Sequence, residues 1–210
     1  MLYTHMLRTA VVLGLFALIS AWLVAITFDV TKEAIATSEK KALLRNLHQL
    51  IPTVLHDNDM FSDVITVQEP ALLGTNKALR VFRARKENNP VALAIESVAP
   101  EGYNGNIFLL IAIRYDGSLL GVRVSKHKET PGLGDAIEIE RSNWINSFNN
   151  KSLSNTNTEA WQVEKDGGEF DQFTGATITP RAIVKAVHNS LLYYQQHRDS
   201  LFSKTNKQEN

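Results

Sequence analysis

Between Thr9 and Phe28 the chain carries no charged residue. At a helical rise of about 1.5 Å per residue the run reaches about 30 Å, the thickness of a bilayer core. A chain with such a segment folds in two solvents, and a single membrane-crossing helix is the reading that fits its length. A cleaved signal peptide expects a shorter apolar core with a small-x-small site beside it. Here the best such site, Ala34-Ile35-Ala36, lies beyond Asp29, Lys32 and Glu33. A buried core helix is the remaining alternative. Residues 1–30 are therefore expected to be a short head and a retained anchor. Charge does not orient it: Arg8, His5 and the terminal amine stand before the run, and Lys32, Lys40 and Lys41 after it.

With 210 residues, 44% hydrophobic and 21% charged, the chain has room for one sizeable core. Basic and acidic residues balance at 22 each, so nothing favours nucleic acid as a partner. The absence of cysteine excludes disulfides, iron–sulfur ligation and thiolate metal sites, and any redox chemistry must use a borrowed cofactor. Thr31 to Ile51 places Ile35, Ala42, Leu43, Leu47 and Leu50 at helical spacing, with Pro52 beyond its end. The Lys40-Lys41 pair on it reads as a solvated face or as a contact for lipid headgroups.

Alternating or β-branched runs predict antiparallel strands at 64–67, 79–85, 91–98, 107–114 and 119–125. Asp116-Gly117 marks a hairpin turn and Asn88-Asn89-Pro90 a looser one. Arg80, Arg83, Arg85 and Lys86 alternate with Val81 and Ala84, as on a half-exposed strand, and read as a solvated face. Residues 133–148 are expected to be partly helical, with Trp144 and Phe148 in the core; 161–163 reads as a further strand, and 180–196 as a last long helix. The fold class expected is α+β: one N-terminal transmembrane helix, then a single mixed domain with an antiparallel sheet and flanking helices. Its parts are the anchor at 1–30, a membrane-proximal helix with the first strands at 31–98, a site-bearing region at 99–196 and a polar, disordered tail at 197–210.

Asp171-Gln172-Phe173-Thr174-Gly175-Ala176-Thr177-Ile178-Thr179 stands directly before Pro180 and the helical spacing of Ile183, Val184, Val187, Leu191 and Tyr194. Thr179 suits an N-cap and Pro180 the first helical position, so a helix is expected from about Pro180. Its unpaired N–H groups and positive dipole end would face the Thr174-Gly175-Ala176-Thr177 turn, a favourable place for phosphate. Physics gives an anion site there, and an ordinary Thr-Pro helix start has the same residues. A second segment, Glu129-Thr130-Pro131-Gly132-Leu133-Gly134, must be a tight loop. Its glycine backbone and the face of Leu133 suit a flat ring, and a strand-to-helix turn would want the same residues.

The Asp-x-x-Thr-Gly-Ala-Thr-x-Thr pattern resembles the signature of the covalent FMN-binding domains of the Rnf and Nqr membrane redox complexes. The Glu-Thr-Pro-Gly-x-Gly loop is similar to a second family element, and Gly102-Tyr103-Asn104-Gly105 to a third and more common one. The resemblance covers residues 102–187 and reaches furthest toward the G subunits of Rnf (Rsx-type) complexes, with the C subunit of Nqr as the related case. It implies FMN esterified through its phosphate to Thr177. Thr174, Gly175, Ala176, Glu129, Thr130, Gly132, Leu133 and Gly134 would contact the cofactor. Asp171 would present Thr177 to a flavin transferase that uses FAD, or simply form the turn.

It further implies an electron-carrying subunit of an ion-translocating oxidoreductase, coupled to ferredoxin or NADH, with membrane and iron–sulfur subunits as partners. The anchor would lie in a bacterial inner membrane with the large domain in the periplasm. The alternative is a membrane-anchored binding or assembly module without flavin. No catalytic residue and no metal ligand is expected. The histidines lack companions at metal spacing, and Asp57-Asn58-Asp59 with Asp63 lacks the glycine and glutamate of a calcium loop and reads as an exposed turn. No nicotinamide fingerprint and no nucleophile elbow is present.

Overall fold

The computed structural model describes residues 2–203, in two units, Met1–Leu44 and Arg45–Asn210. The described residues of the first unit are all helical. α1 spans Leu2–Leu50 and covers both the expected anchor and the helix expected from Thr31 to Ile51. Among the described residues one helix is long and apolar enough to cross a membrane, and its large apolar side chains, among them Phe16, Leu18, Trp22 and Val24, are exposed.

The second unit is built on five strands: β1 (Val64–Val67), β2 (Leu79–Lys86), β3 (Asn89–Gly102), β4 (Gly105–Arg114) and β5 (Leu119–Lys126). They pair antiparallel in the order in which the chain makes them. All five lie where alternation places them. The Asp116-Gly117 turn forms as expected: Gly117 has φ +90°, and Asp116 Oδ1 accepts from the Ser118 N–H at 2.8 Å and the Ser118 hydroxyl at 2.7 Å. Those bonds hold the Asp116 carboxyl below its usual range. The β2–β3 turn falls one residue earlier than Asn88-Asn89-Pro90. Lys86 pairs with Asn89, and Glu87 and Asn88 supply the positive φ values of 51° and 64° that such a two-residue turn requires.

Register sorts the side chains onto two faces. Val81, Ile95, Ile111 and Val122 stand in one cross-strand row and belong to the main core with Ile183, Val187 and Leu191 of α3 (Ile178–Ser203). A second row, Phe82, Ala94, Ala112 and Gly121, lies on the other face. There small residues admit the end of α1: a Cβ on Gly121 would stand 2.9 Å from Leu50 Cδ2, and Phe61 packs on Phe82 at 5.6 Å. α2 (Pro70–Leu73) joins β1 to β2. Thus β4 is buried on both sides from Leu109 to Ile113.

Residues 133–148 form two 3-10 turns, Gly134–Ile137 and Trp144–Phe148. Trp144 and Phe148 meet edge-on at 5.4 Å, and Phe148 stacks on Phe170 at 4.6 Å. The strand expected at 161–163 is not one: only Val163 bridges, to Phe170. Trp161 is apolar because it packs beside Phe170 and under His188, whose ring is parallel to it at 5.4 Å.

α3 exceeds its expected limits at both ends. It begins at Ile178, because the Thr179 hydroxyl is used by Glu129 and does not cap the helix. At the other end it continues through Ser203, with Leu201 and Phe202 buried. The disordered tail expected from residue 197 is therefore helical as far as Ser203, and positions 204–210 lie outside the described residues. The basic cluster on β2 explains this end. Arg83, 3% exposed, pairs with Asp63 and donates to the Leu201 carbonyl at 3.3 Å. Arg85 donates to Asp63 Oδ2 at 2.8 Å and to the Phe202 carbonyl at 2.6 Å. These two arginines are not a solvated face, whereas Arg80 pairs with Glu96 near the surface. The Asp57 to Asp63 segment serves the same region: Asn58 Oδ1 accepts the Arg85 N–H at 2.7 Å, and no metal-holding acidic cluster exists among the described residues.

Replacing Arg83 by Ala leaves the half-buried Asp63 with Arg85 as its one arginine partner and removes the donor to the Leu201 carbonyl, and should lower stability by about 2 kcal/mol, read as a drop in melting temperature of the full chain in detergent. His188 gives a second test. Burial pushes its pKa below 6.5, so the unfolded chain takes the proton first on acidification. Stability is then full above the ordinary value and is lost as pH falls from 6.5 toward the lower folded value. Melting temperatures between pH 7.5 and 5.5 should fall in the wild type and fall less in His188→Phe, which keeps the ring stack.

Candidate functional site

Three segments distant in sequence converge at the start of α3. The first is the two-residue turn between β3 and β4, closed by the Gly102–Gly105 pair, which presents Tyr103 and Asn104. The second is the loop after β5. Its tight shape comes from the Thr130 carbonyl, which accepts from Leu133 N–H at 3.1 Å and Gly134 N–H at 3.0 Å. Gly132 sits at φ +78°, and its N–H donates to Asp135 Oδ1 at 2.8 Å. The third is the Phe173–Ala176 turn, closed by Ala176 N–H to the Phe173 carbonyl at 3.0 Å, with Gly175 at φ +82°.

Glu129 ties these segments together. The residue is 4% exposed. One carboxylate oxygen accepts the Asn104 N–H at 3.0 Å, and the other accepts the Thr179 hydroxyl. Asn104 Nδ2 donates in turn to the Thr130 hydroxyl at 3.2 Å. His127 orients the Glu129 backbone: its Nδ1 accepts the Glu129 N–H at 3.0 Å, which leaves Nε2 to donate to Glu138 Oε1 at 2.7 Å. Gly134 is a steric necessity here. A Cβ would lie 2.9 Å from Glu129 Cβ and 3.0 Å from its Oε2, displacing the carboxylate from both partners.

The result is a cleft of about 680 Å³ lined by Tyr103, Glu129, Thr130, Leu133, Gly134, Lys165, Gly175, Ala176, Thr177, Ile178 and Thr179. Leu133 Cδ2 would lie 3.6 Å from a Cβ on Gly175, so the two glycine-bearing loops pack directly on each other. Thr177 stands immediately before α3, its carbonyl accepting the Arg181 N–H at 3.4 Å. It occupies the capping position assigned to Thr179 from sequence, at the positive end of a 26-residue helix. Apolar surface rims the opening: Tyr103 is 66%, Leu133 46% and Ile178 45% exposed.

Of the residues expected at the site, Thr177, Gly175, Ala176, Glu129, Thr130, Leu133 and Gly134 line this cleft. Gly132 and Thr174 do not; both are exposed and shape the turns behind the lining residues. Asp171 is also exposed and borders a separate, open depression with Trp144 and Phe173, where its carbonyl accepts Trp144 Nε1–H at 2.8 Å. Lys165 was missed in the sequence. Its signal was Asp166-Gly167-Gly168, a turn that returns the chain toward the motif. Asn104 was within a motif but had no assigned part, and Thr179 was assigned only a helix cap.

A cleft of this size is in the range of cofactor sites, and similarity to known proteins agrees. The chain matches the RnfG N-terminal region over residues 1–50 and the FMN-binding domain over residues 102–192. The G subunit of the ion-translocating oxidoreductase complex of Shewanella piezotolerans is 48% identical over 198 residues, 94% of this chain and 93% of the relative. Its namesake from Pseudoalteromonas atlantica is 46% identical over 200 residues, 95% and 93% of the two chains. That from Vibrio cholerae is 45% identical over 203 residues, 97% of each. With both of its parts matched and nearly its whole length shared with these relatives, the chain belongs to the family of G subunits of ion-translocating oxidoreductase complexes.

Proposed function

We propose that the cleft holds FMN esterified through its phosphate to the Thr177 hydroxyl, and that the chain carries electrons within a membrane-bound ion-translocating oxidoreductase complex. The observation that carries this reading is the placement of Thr177 at the start of α3, in the same cleft as the Glu129–Gly134 loop. Bound there, FMN supplies reversible acceptance of one or two electrons. The protein's own part is to hold and orient. The unpaired N–H groups and dipole at the start of α3 favour the phosphate charge. The turn at Gly175 leaves room for it, while Leu133 and Tyr103 offer apolar surface to the ring system. A phosphate link leaves that ring unmodified, so contacts and burial in the cleft set its potential.

Attachment is the work of a flavin transferase with FAD as donor. The Thr177 oxygen bonds to the flavin-side phosphorus, the pyrophosphate bridge breaks, AMP leaves and the hydroxyl proton passes to solvent or a base of the transferase. Asp171, exposed at the first position of the motif, is available to be read by that enzyme, and its place on a separate depression suits recognition better than cofactor contact. Membrane and iron–sulfur subunits of the complex deliver and remove electrons, with ferredoxin or NADH at the far end. The anchor lies in the inner membrane and the folded domain in the periplasm, where a tether prevents loss of a scarce cofactor.

Co-expression with the transferase should give a band that fluoresces under ultraviolet light on a denaturing gel, and Thr177→Val should abolish it. A dark wild-type band beside an active transferase would point instead to a binding module without flavin. Glu129→Ala should cost about 2 kcal/mol, because it strands the Asn104 N–H and the Thr179 hydroxyl, and should weaken the fluorescent band. Glu129→Gln, which keeps an acceptor for Asn104, should cost about half as much on the same melting assay.

A further inference from the structure

Lys165 is the single cationic side chain among the described residues that line the cleft, and its loop is built to keep it there. The backbone closes on itself: Glu164 N–H donates to the Phe170 carbonyl at 2.8 Å and Gly168 N–H to the Val163 carbonyl at 3.1 Å. Gly168 passes so near the Gln162 carbonyl that a Cβ would lie 2.0 Å from its oxygen. Three further bonds pin the lysine from both sides to the elements that carry Thr177. The Lys165 N–H donates to Gln172 Oε1 at 3.0 Å, within the motif. The next residue, Asp166, receives Arg181 Nε at 2.6 Å and Nη2 at 2.9 Å, from the first turn of α3.

Charge decides what that arrangement is for. Arg181 is the nearer cation in sequence to Thr177, yet its guanidinium is committed to both oxygens of Asp166. The same pairing occupies the carboxylate that would otherwise compete for the Lys165 ammonium. The acidic lining residue Glu129 is likewise engaged, by Asn104 and Thr179. The helix start by itself is short of donors, since Pro180 has no N–H. A phosphodiester carries one negative charge shared by two free oxygens and gains most from an external cation with several donors.

We propose that Lys165 is the counter-ion of the phosphoryl group carried at Thr177, clamping it against the start of α3. The assignment rests on the flavin reading above. Lys165 is thereby a positioning residue for attachment and for the finished ester, with Asp166–Arg181 as the brace that holds its loop in place.

The test uses the full chain, flavinylated by its transferase and purified in detergent, as wild type, Lys165→Gln and Lys165→Arg. Lys165→Gln should slow attachment roughly tenfold and displace the ³¹P resonance of the finished phosphodiester, measured with no transferase present. Lys165→Arg should restore both. Attachment at the wild-type rate in Lys165→Gln, a phosphorus resonance that does not move, or equal failure of Gln and Arg would each overturn the assignment. The two readings separate cleanly: a wild-type band without fluorescence removes the flavin itself, whereas a fluorescent wild type with an indifferent Lys165→Gln removes only the lysine's part.

Discussion

A buried carboxylate shared between a backbone N–H and a hydroxyl holds the cleft together. Glu129 is 4% exposed, and its partners, Asn104 and Thr179, come from the β3–β4 turn and the first turn of α3. Burying a charge of this kind is costly unless its oxygens are satisfied. The same requirement makes the geometry specific, since displacement of either segment would leave a desolvated oxygen. Gly134 follows as a consequence, because only a residue without Cβ lets the loop pass so close to the carboxylate. Gly134 thus answers to a polar contact, Glu129 with Thr179, that neither motif contains alone.

α3 is held at both ends by charge. At its start are the Thr179–Glu129 bond and the Arg181–Asp166 pair; at its end Arg83 and Arg85 donate to the carbonyls of Leu201 and Phe202, where a helix leaves acceptors unfilled and its dipole is negative. Between them the helix lies on the row of Val81, Ile95, Ile111 and Val122, with Ser190 donating to Ser97 of β3 at 3.0 Å. A helix fixed over its whole length keeps Thr177 in one position relative to the sheet. The opposite face, with its row of small residues at Ala94, Ala112 and Gly121, takes the end of α1 without disturbing that seat.

The strands were legible because each buries one or both faces and therefore shows alternation or a β-branched run, and the Asp116-Gly117 turn because its backbone conformation needs those residues. Trp161 to Val163 misled for a related reason: the residues are apolar because they enter an aromatic cluster, and no neighbouring strand exists among the described residues to pair with them. The start of α3 was displaced because Thr179-Pro180 carries a strong capping signal, yet Glu129 takes the hydroxyl that would have capped. Its end was legible in principle, since Leu201-Phe202 interrupts an otherwise polar tail. Arg83 was not, because only the fold brings Asp63 beneath it. Both loops of the site could be read from their glycines. Lys165 and the Glu129–Thr179 contact are relations in space between segments, and a pattern along the chain does not encode them.

The openness of the cleft bears on why a tether would be used at all. Tyr103, Leu133 and Ile178 keep much of their surface exposed at its rim, so a flavin lying there keeps an edge toward solvent or a partner. Retention by burial alone wants most of a ligand's surface enclosed, whereas passing electrons to another centre wants an accessible edge. Those demands conflict for a freely exchanging cofactor. The proposed ester at Thr177 would separate them, the phosphate end supplying retention and leaving the ring end open. The structural investment follows the same division. The rigid, charge-braced elements, Glu129 with Thr179 and Asp166 with Arg181, gather around the start of α3, and the apolar, exposed side chains are left at the mouth.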